Sequence, residues 1–291
     1  MGILTRRRFG IVTLTLALLI AVAVFGAGEV LSRPVPAQIG AAPADLGTHP
    51  MSMRTAAGGT IAAWFAPGVA GRGAVLLLHG VRSDRRAMLG RARFLHAAGY
   101  AVLLVDLQAH GESRGERITF GVRESAGVVA ALAWLRRELP GESIGVIGVS
   151  LGAASFVLAS PRPAVEAVVL ESMYPTIAEA VADCLALHLG SAARLAAPLL
   201  LTQLPLRLGI GVAELRPIDR LRALNAPLLL VAGAADRHTT LPEAQRLFDA
   251  AAAPKELWVV EGAAHVDLHA FAPGEYEERI GAFFARYLSQ Q

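Results

Sequence analysis

Three residues of types able to share a proton relay stand far apart along this 291-residue chain: Ser150, Asp236 and His265. Ser150 is the centre of Gly148-Val149-Ser150-Leu151-Gly152, between an apolar run over 143–149 and a small-residue run over 151–159. A serine hydroxyl is a weak nucleophile until the backbone lifts it clear of a packed sheet. A sharp strand-to-helix turn does this, and it admits only small residues two positions either side of the serine. Gly148 and Gly152 meet that demand. The same turn puts the Leu151 amide at a helix N-terminus, where it can donate to a developing oxyanion. In a chain with 29 glycines the five-residue match is weak alone, and a purely structural turn is the competing reading. The flanking strand and helix give it weight.

A serine nucleophile needs a base, and the base needs an orienting group; in α/β sheets both sit on loops beyond the carboxyl ends of strands. The apolar run 226–233 is followed by Ala234-Ala235-Asp236-Arg237-His238, and the run 256–262 by Ala263-Ala264-His265-Val266-Asp267. The order Ser, Asp, His is the one this architecture uses. Taken singly, Asp236 reads better as an N-cap or surface aspartate, and His265 no better than as a loop histidine. Their coincidence on successive loops makes the triad. His238 is the weaker base because it shares the loop of Asp236. His265 and His269 have i,i+4 spacing but lack the glutamate of the zinc-protease pattern, so neither a metal nor a cofactor is expected.

A second oxyanion donor is expected from Leu78-His79-Gly80-Val81, where Gly80 lets the strand-end loop fold back and present the Val81 amide. His79 reads as support for that loop. Asp106 and His110, in Asp106-Leu107-Gln108-Ala109-His110-Gly111, follow too early a strand for the triad and read as loop-shaping hydrogen-bonders. Glu171, after the strand that follows the elbow, is a substitute for Asp236.

These groups must be positioned by alternating elements. The pattern predicts a hairpin over 51–66 turning at Gly58-Gly59, then strands at 74–78, 101–106, 143–149, 164–170, 226–233 and 256–262. Between and after them come helices over about 85–98, 121–138, 151–159, 241–252 and 275–288. Near-continuous apolar strands alternating with helices imply a mostly parallel sheet covered on both faces. Residues 173–218 interrupt the alternation with a leucine-rich segment broken at Pro198 and Pro205, expected to form a helical cap over the sheet's C-terminal edge.

Composition bounds the rest. Hydrophobic residues make up 54% of the chain, ample for a core. Phe9 to Gly28 carries no charge and follows Arg6, Arg7 and Arg8. That run is long for a signal peptide and long enough to span a membrane. A cleaved signal stays open through the small residues Gly26-Ala27-Gly28, and Thr5-Arg6-Arg7-Arg8-Phe9 is similar to a twin-arginine export signal. Either way the arginines keep the N-terminus cytoplasmic and the remainder lies outside, anchored or released. Glu29 to Pro50, with four prolines, reads as an extended linker holding the domain off the membrane. The formal charge of +3 equals the three leading arginines, which leaves no basic surface for nucleic acid. The lone Cys184 excludes an internal disulfide and reads as an inert buried thiol.

With these residues in view, the chain from about Met51 to Leu288 resembles the α/β-hydrolase superfamily. The segments LLLHG, DLQAHGESRG, GVSLG, GAADRHTT and GAAHVDLH are similar to the bacterial serine hydrolases related to serine aminopeptidases and monoacylglycerol lipases. The resemblance implies Ser150 as nucleophile, Asp236 as acid, His265 as base, Val81 and Leu151 as oxyanion amides, a sheet of about eight strands, and no cofactor. The chain departs from many lipases and esterases in ending its oxyanion strand with His79-Gly80 rather than a glycine-rich run. The leading expectation is hydrolysis of a small-molecule carboxylic ester through an acyl-serine. Cleavage of short peptides is the alternative, with Glu171, Glu179 or Asp183 available to hold an amine. A catalytically silent domain that binds a lipid or partner is the alternative from another class. No G-x-G-x-x-G follows the first parallel strand, which argues against a dinucleotide oxidoreductase.

Overall fold

Every residue of Ala74–Leu78, Ala101–Val105 and Ala167–Glu171 is buried, the mark of strands covered on both faces. In the computed structural model, which describes residues 2–161 and 164–288, they belong to an eight-stranded sheet. The strands in chain order are β1 (Val35–Pro36), β2 (His49–Arg54), β3 (Thr60–Ala66), β4 (Ala74–Leu78), β5 (Ala101–Val105), β6 (His110–Gly111), β7 (Ile144–Val149), β8 (Ala167–Glu171), β9 (Leu228–Gly233) and β10 (Lys255–Val260). The large sheet runs β10-β9-β8-β7-β4-β5-β3-β2, and β1 and β6 pair separately. Only β2 with β3 and β3 with β5 are antiparallel; every other neighbour in the large sheet is parallel. The expected mostly parallel sheet of eight strands is present, with element ends shifted by a few residues.

The helices in chain order are α1 (Gly2–Ser32), α2 (Leu89–Ala97), α3 (Glu124–Glu138), α4 (Leu151–Leu158), α5 (Ile177–Leu189), α6 (Ala197–Leu201), α7 (Leu204–Leu208), α8 (Ile218–Leu221), α9 (Leu241–Ala250), α10 (Leu268–Phe271) and α11 (Pro273–Leu288). Alternation along each strand divides the core. Leu76, Leu103 and Val146 pack with α3, α4 and α9 on one face. Val75, Leu77, Val102 and Leu104 pack with α2 and α11 on the other. The insert over 173–218 has a core of its own, in which Ile177, Leu201, Leu204, Leu208 and Leu215 meet.

The spacer expected over Glu29–Pro50 is corrected. α1 continues through Gly26-Ala27-Gly28 to Ser32 without a break, and Val35 and Pro36 pair with His110 and Gly111. Ile39 and Leu46 are buried in the α2/α11 side of the core. Prolines keep this stretch extended, which suits it to add a short strand, and its apolar residues then find cover on the domain. The twin-arginine motif rests partly on Arg6 and Arg7, whose side chains lie outside the described residues.

Buried polar groups hold the loops at the sheet's C-terminal edge. The Leu107 amide donates to His79 Nε2 at 3.0 Å, so Nδ1 carries the proton and donates to Gly80 O at 2.7 Å. The Arg82 amide likewise donates to His110 Nε2 at 3.1 Å. Asp106 accepts from the Arg85 amide at 2.8 Å and the Glu112 amide at 2.9 Å, and pairs with the Arg85 guanidinium. Asp106 and His110 thus shape the loops, as expected.

Complete burial, reinforced by neighbouring His110, pushes the His79 imidazole down to about 3. Its ordinary value is about 6.5, so between these two pH values the unfolded chain binds a proton that the folded chain refuses. Stability must therefore fall as pH drops through that window. We expect denaturant midpoints of a His79→Gln variant to fall less between pH 6.5 and 4, roughly the window of that shift, than those of the parent. Parallel declines in the two proteins would remove His79 as a cause.

Candidate active site

The backbone at Ser150 is forced. Its φ of 49° and ψ of −106° lie in a region that side-chain-bearing residues rarely adopt. The strand before it and the helix after it hold it there: the Ser150 amide donates to Glu171 O at 2.8 Å and the Ala154 amide to Ser150 O at 3.0 Å. The glycines either side are required by contact. A Cβ on Gly148 would fall 2.7 Å from the backbone of Ala153, and one on Gly152 would fall 2.4 Å from the carbonyl oxygen of Leu78. The small-neighbour demand read from the sequence is therefore real in space.

Asp236 and His265 come together. Asp236 is buried, and its Oδ2 accepts from His265 Nδ1 at 2.8 Å. The same carboxylate accepts from the His238 amide at 2.8 Å, the Thr239 amide at 2.9 Å and the Thr239 hydroxyl at 2.8 Å. Burial alone would raise its pKa, but the hydrogen bond and charge of His265 and the donors on Thr239 hold the carboxyl below its ordinary range. With Nδ1 committed, Nε2 is the ring nitrogen left for a proton transfer.

Ser150 and His265 both line a cavity of about 260 Å³ at the sheet's C-terminal edge. Among the described residues no hydrogen bond joins Ser150 Oγ to the imidazole; such bonds are often long in a ligand-free enzyme and tighten around substrate. Gly80 lies beside the elbow, its absent Cβ 3.8 Å from the Ser150 Cβ. Val81 lines the same cavity, and Leu151 starts α4 directly after Ser150. Among the described residues neither the Val81 nor the Leu151 amide has a hydrogen-bond acceptor.

The remaining candidates separate. The His238 ring lies 5.1 Å from that of His265, against its side. His269 stacks on Phe94 and meets Glu277 at 3.0 Å, away from Ser150. Glu171 is not available as a substitute acid: Arg91 holds both its oxygens at 2.9 and 2.6 Å, and Tyr276 donates to it as well. Cys184 is half-buried, and burial raises its pKa, in keeping with an inert thiol.

Three cavity-wall residues escaped the sequence reading: Arg91, Asp267 and Ser172. Arg91 Nη1 pairs with Asp267 at 2.8 Å while its other nitrogens hold Glu171. Ser172 is buried, has a φ of 46°, and its hydroxyl has no hydrogen-bond partner. Val149 stands opposite Glu171 at the end of the parallel pair, and Ser150 and Ser172 are the residues that follow these two partners. That register was the available signal. The insert contributes no described residue to the walls of this cavity; it meets the loop of Asp236 from the far side, where the His188 ring lies 6.2 Å from that of His238 and Asp183 and Leu187 share a second cavity with Arg237. The expected helical insert is present, packed on its own core rather than lining this cavity.

Comparison with known proteins bears on the whole arrangement. The Pyrococcus furiosus esterase Pf2001 superposes with a TM-score of 0.72 at 26% identity, covering 89% of this chain and 98% of that one. An esterase from Exiguobacterium antarcticum shares the fold, with a TM-score of 0.61 at 14% identity over 81% of this chain and 100% of that chain. An uncharacterised protein of Mycobacterium tuberculosis is 32% identical over 239 residues, 80% of this chain and 77% of the relative. The model of the X-Pro dipeptidyl-peptidase (S15) family matches residues 32–184, which include the Ser150 elbow and the Val81 loop but neither Asp236 nor His265. Since that match exceeds half the chain, and the sheet order and esterase neighbours agree with it, the protein belongs to the S15 family of α/β-hydrolase enzymes.

Proposed function

We propose that this hydrolase cleaves carboxylic esters through an acyl-serine intermediate. Ser150 Oγ attacks the ester carbonyl as His265 Nε2 takes its proton, and Asp236 fixes the tautomer and steadies the imidazolium. The oxyanion accepts from the amides of Val81 and Leu151. Collapse expels the alcohol, which takes the proton from His265. Water, deprotonated by the same nitrogen, then releases the acid. One observation carries this reading: the imidazole bonded to Asp236 at 2.8 Å faces the cavity that holds a serine on strained backbone.

Esters are favoured over peptides by the state of the acidic side chains. Glu171 is consumed by Arg91 and Tyr276, Glu179 by Thr176 and Arg246, and Asp183 by Arg194. Asp183 keeps one buried oxygen, Oδ2, without a hydrogen-bond partner, but it does not line the Ser150 cavity, and Glu171 and Glu179 have partners on both oxygens. Peptide cleavage is the second reading, and the S15 family match favours it. α1 serves in this proposal as an anchor, since Arg8–Ser32 is long and apolar enough to cross a membrane and no residue of its most apolar 18-residue window is buried. The catalytic domain then lies on the side of the membrane opposite the leading arginines.

Ser150→Ala should lower kcat by about 10⁴–10⁶. A loss smaller than tenfold, or failure of a fluorophosphonate to label Ser150 in the folded parent, would leave a silent binding domain as the better account. Nitrophenyl esters of short acids should be turned over faster than X-Pro naphthylamides; the reverse order would establish the peptidase.

A further inference from the structure

The insert carries large apolar side chains that its own core does not use. Leu189, Leu195, Leu199 and Leu206 are 73, 86, 45 and 85% exposed, whereas Leu201, Leu204 and Leu208 beside them are buried. Burying apolar side chains is favourable, and a cluster left outside on so small a subdomain calls for a cover.

The chain shows what the cover is, because the insert is fastened to α1. Gln203 Nε2 donates to Val24 O at 2.9 Å and Arg207 Nη2 donates to Phe25 O at 2.8 Å. Arg207 also pairs with Glu29. The approach is close enough that a Cβ on Gly28 would fall 2.0 Å from Gln203 Oε1. At about 1.5 Å per residue, the uncharged run from Phe9 to Gly28 is about 30 Å long, the thickness of a bilayer's hydrocarbon core. Val24 to Gly28 is therefore the end of that span nearest the catalytic domain. Whatever is bonded there sits at the boundary between headgroups and acyl chains. Arg207, 10% exposed, spends its guanidinium on Glu29, Gln203 and the Phe25 carbonyl, so this fastening is largely closed to solvent.

We propose that Leu189, Leu195, Leu199 and Leu206 form a second membrane contact, seated in the lipid leaflet on the catalytic domain's side. The proposal rests on the reading of α1 as an anchor. It also orients the site. Arg82, next to Val81, donates to Val30 O at 3.0 Å, which ties the oxyanion loop to the same end of α1. Val81 and Val266, on the rim of the Ser150 cavity, are 42 and 45% exposed. The mouth then opens at the bilayer surface, and an ester with a long acyl chain enters from the lipid.

The test uses the full chain in phosphatidylcholine–phosphatidylglycerol vesicles whose acyl chains carry nitroxides. Single tryptophans report quenching at Leu195→Trp and Leu206→Trp in the insert and at Val22→Trp in α1. Val69→Trp, in the loop before β4 at the opposite edge of the sheet, is the solvent reference, and the parent supplies the background of native tryptophans. We expect both insert positions to be quenched nearly as strongly as Val22→Trp and well above Val69→Trp. If Val22→Trp is quenched while the insert matches Val69→Trp, α1 is an anchor and the second contact is refuted. If Val22→Trp is not quenched either, the anchor reading falls and takes the contact with it. A Leu195→Glu/Leu206→Glu double variant should lose roughly fivefold in turnover of a long-chain ester presented in vesicles. It should retain its turnover of a soluble short-chain ester. Equal retention on both substrates would refute delivery from the lipid.

Discussion

The positive φ of Ser150 is the constraint on which the site's geometry depends. Such a conformation costs roughly 1–3 kcal/mol and persists only where surrounding structure enforces it. Here the enforcement comes from the close seating of α4 on the sheet, with Gly152 against the carbonyl of Leu78 and Gly148 against Ala153. The carbonyl that Gly152 touches belongs to the last residue of β4, the strand that leads into His79-Gly80-Val81. A single packing contact therefore sets the height of the proposed nucleophile and the origin of the loop carrying one proposed oxyanion amide. The other amide, of Leu151, follows from the turn itself. Neither is placed by a side chain. The position of the oxyanion donors is thus a property of backbone packing, and it requires glycine where a methyl group would not fit.

Charge is arranged with similar economy around this frame. The buried acids at the sheet's C-terminal edge are each matched to a cation or to several donors: Asp106 to Arg85, Glu171 to Arg91 and Tyr276, Asp236 to His265 and the 238–239 backbone. Breaking a buried pair by removing one partner typically costs about 3–5 kcal/mol, so these pairs fix their loops firmly. Asp236 differs from the other two in its partner. Arginine is permanently charged and has no proton to exchange, so Asp106 and Glu171 can only hold structure. Asp236 faces an imidazole, a side chain whose chemistry allows it both to accept and to return a proton. In the proposed mechanism the identity of these neighbours assigns proton transfer to His265, although three carboxylates are buried nearby.

Much of this was legible in the sequence because it rests on local signals. Apolar runs bounded by Gly and Pro mark the strands, and the two glycines mark the elbow through sterics that act within five residues. Asp236 and His265 follow their strands immediately, so reading the strands also located the loops that hold them. What escaped depends on contacts distant along the chain. No periodicity shows that Arg91 on α2 would reach Glu171 at the end of β8, 80 residues away. Nor does composition show that a proline-rich stretch would pair with His110-Gly111 instead of standing in solvent. The insert was recognised as an interruption, but its relation to the cavity was not, because leucine content is the same whether leucines line a pocket, build a private core or stay outside.

That last distinction bears on how family membership and substrate relate here. The S15 match spans residues 32–184, which carry the elbow, the Val81 loop and the start of the insert. In the proposed mechanism these parts supply the nucleophile and the oxyanion amides for any acyl donor, ester or amide, while the base and its acid lie outside the match. Selection between donors requires groups that recognise what lies beyond the carbonyl. A peptidase acting near a free N-terminus must leave an anion exposed to the substrate amine. Among the described residues Asp267 is the one carboxylate on the cavity wall, and Arg91 Nη1 already holds it at 2.8 Å. An amine entering there would have to displace a guanidinium that is itself held by Glu171 and Tyr276 on its buried side. The elbow therefore argues for acyl transfer in general, and the filled coordination of Arg91 argues against recognition of a cationic substrate. Together they support the ester reading proposed above, since an amine seated at Asp267 would have to compete with a guanidinium anchored on its buried side.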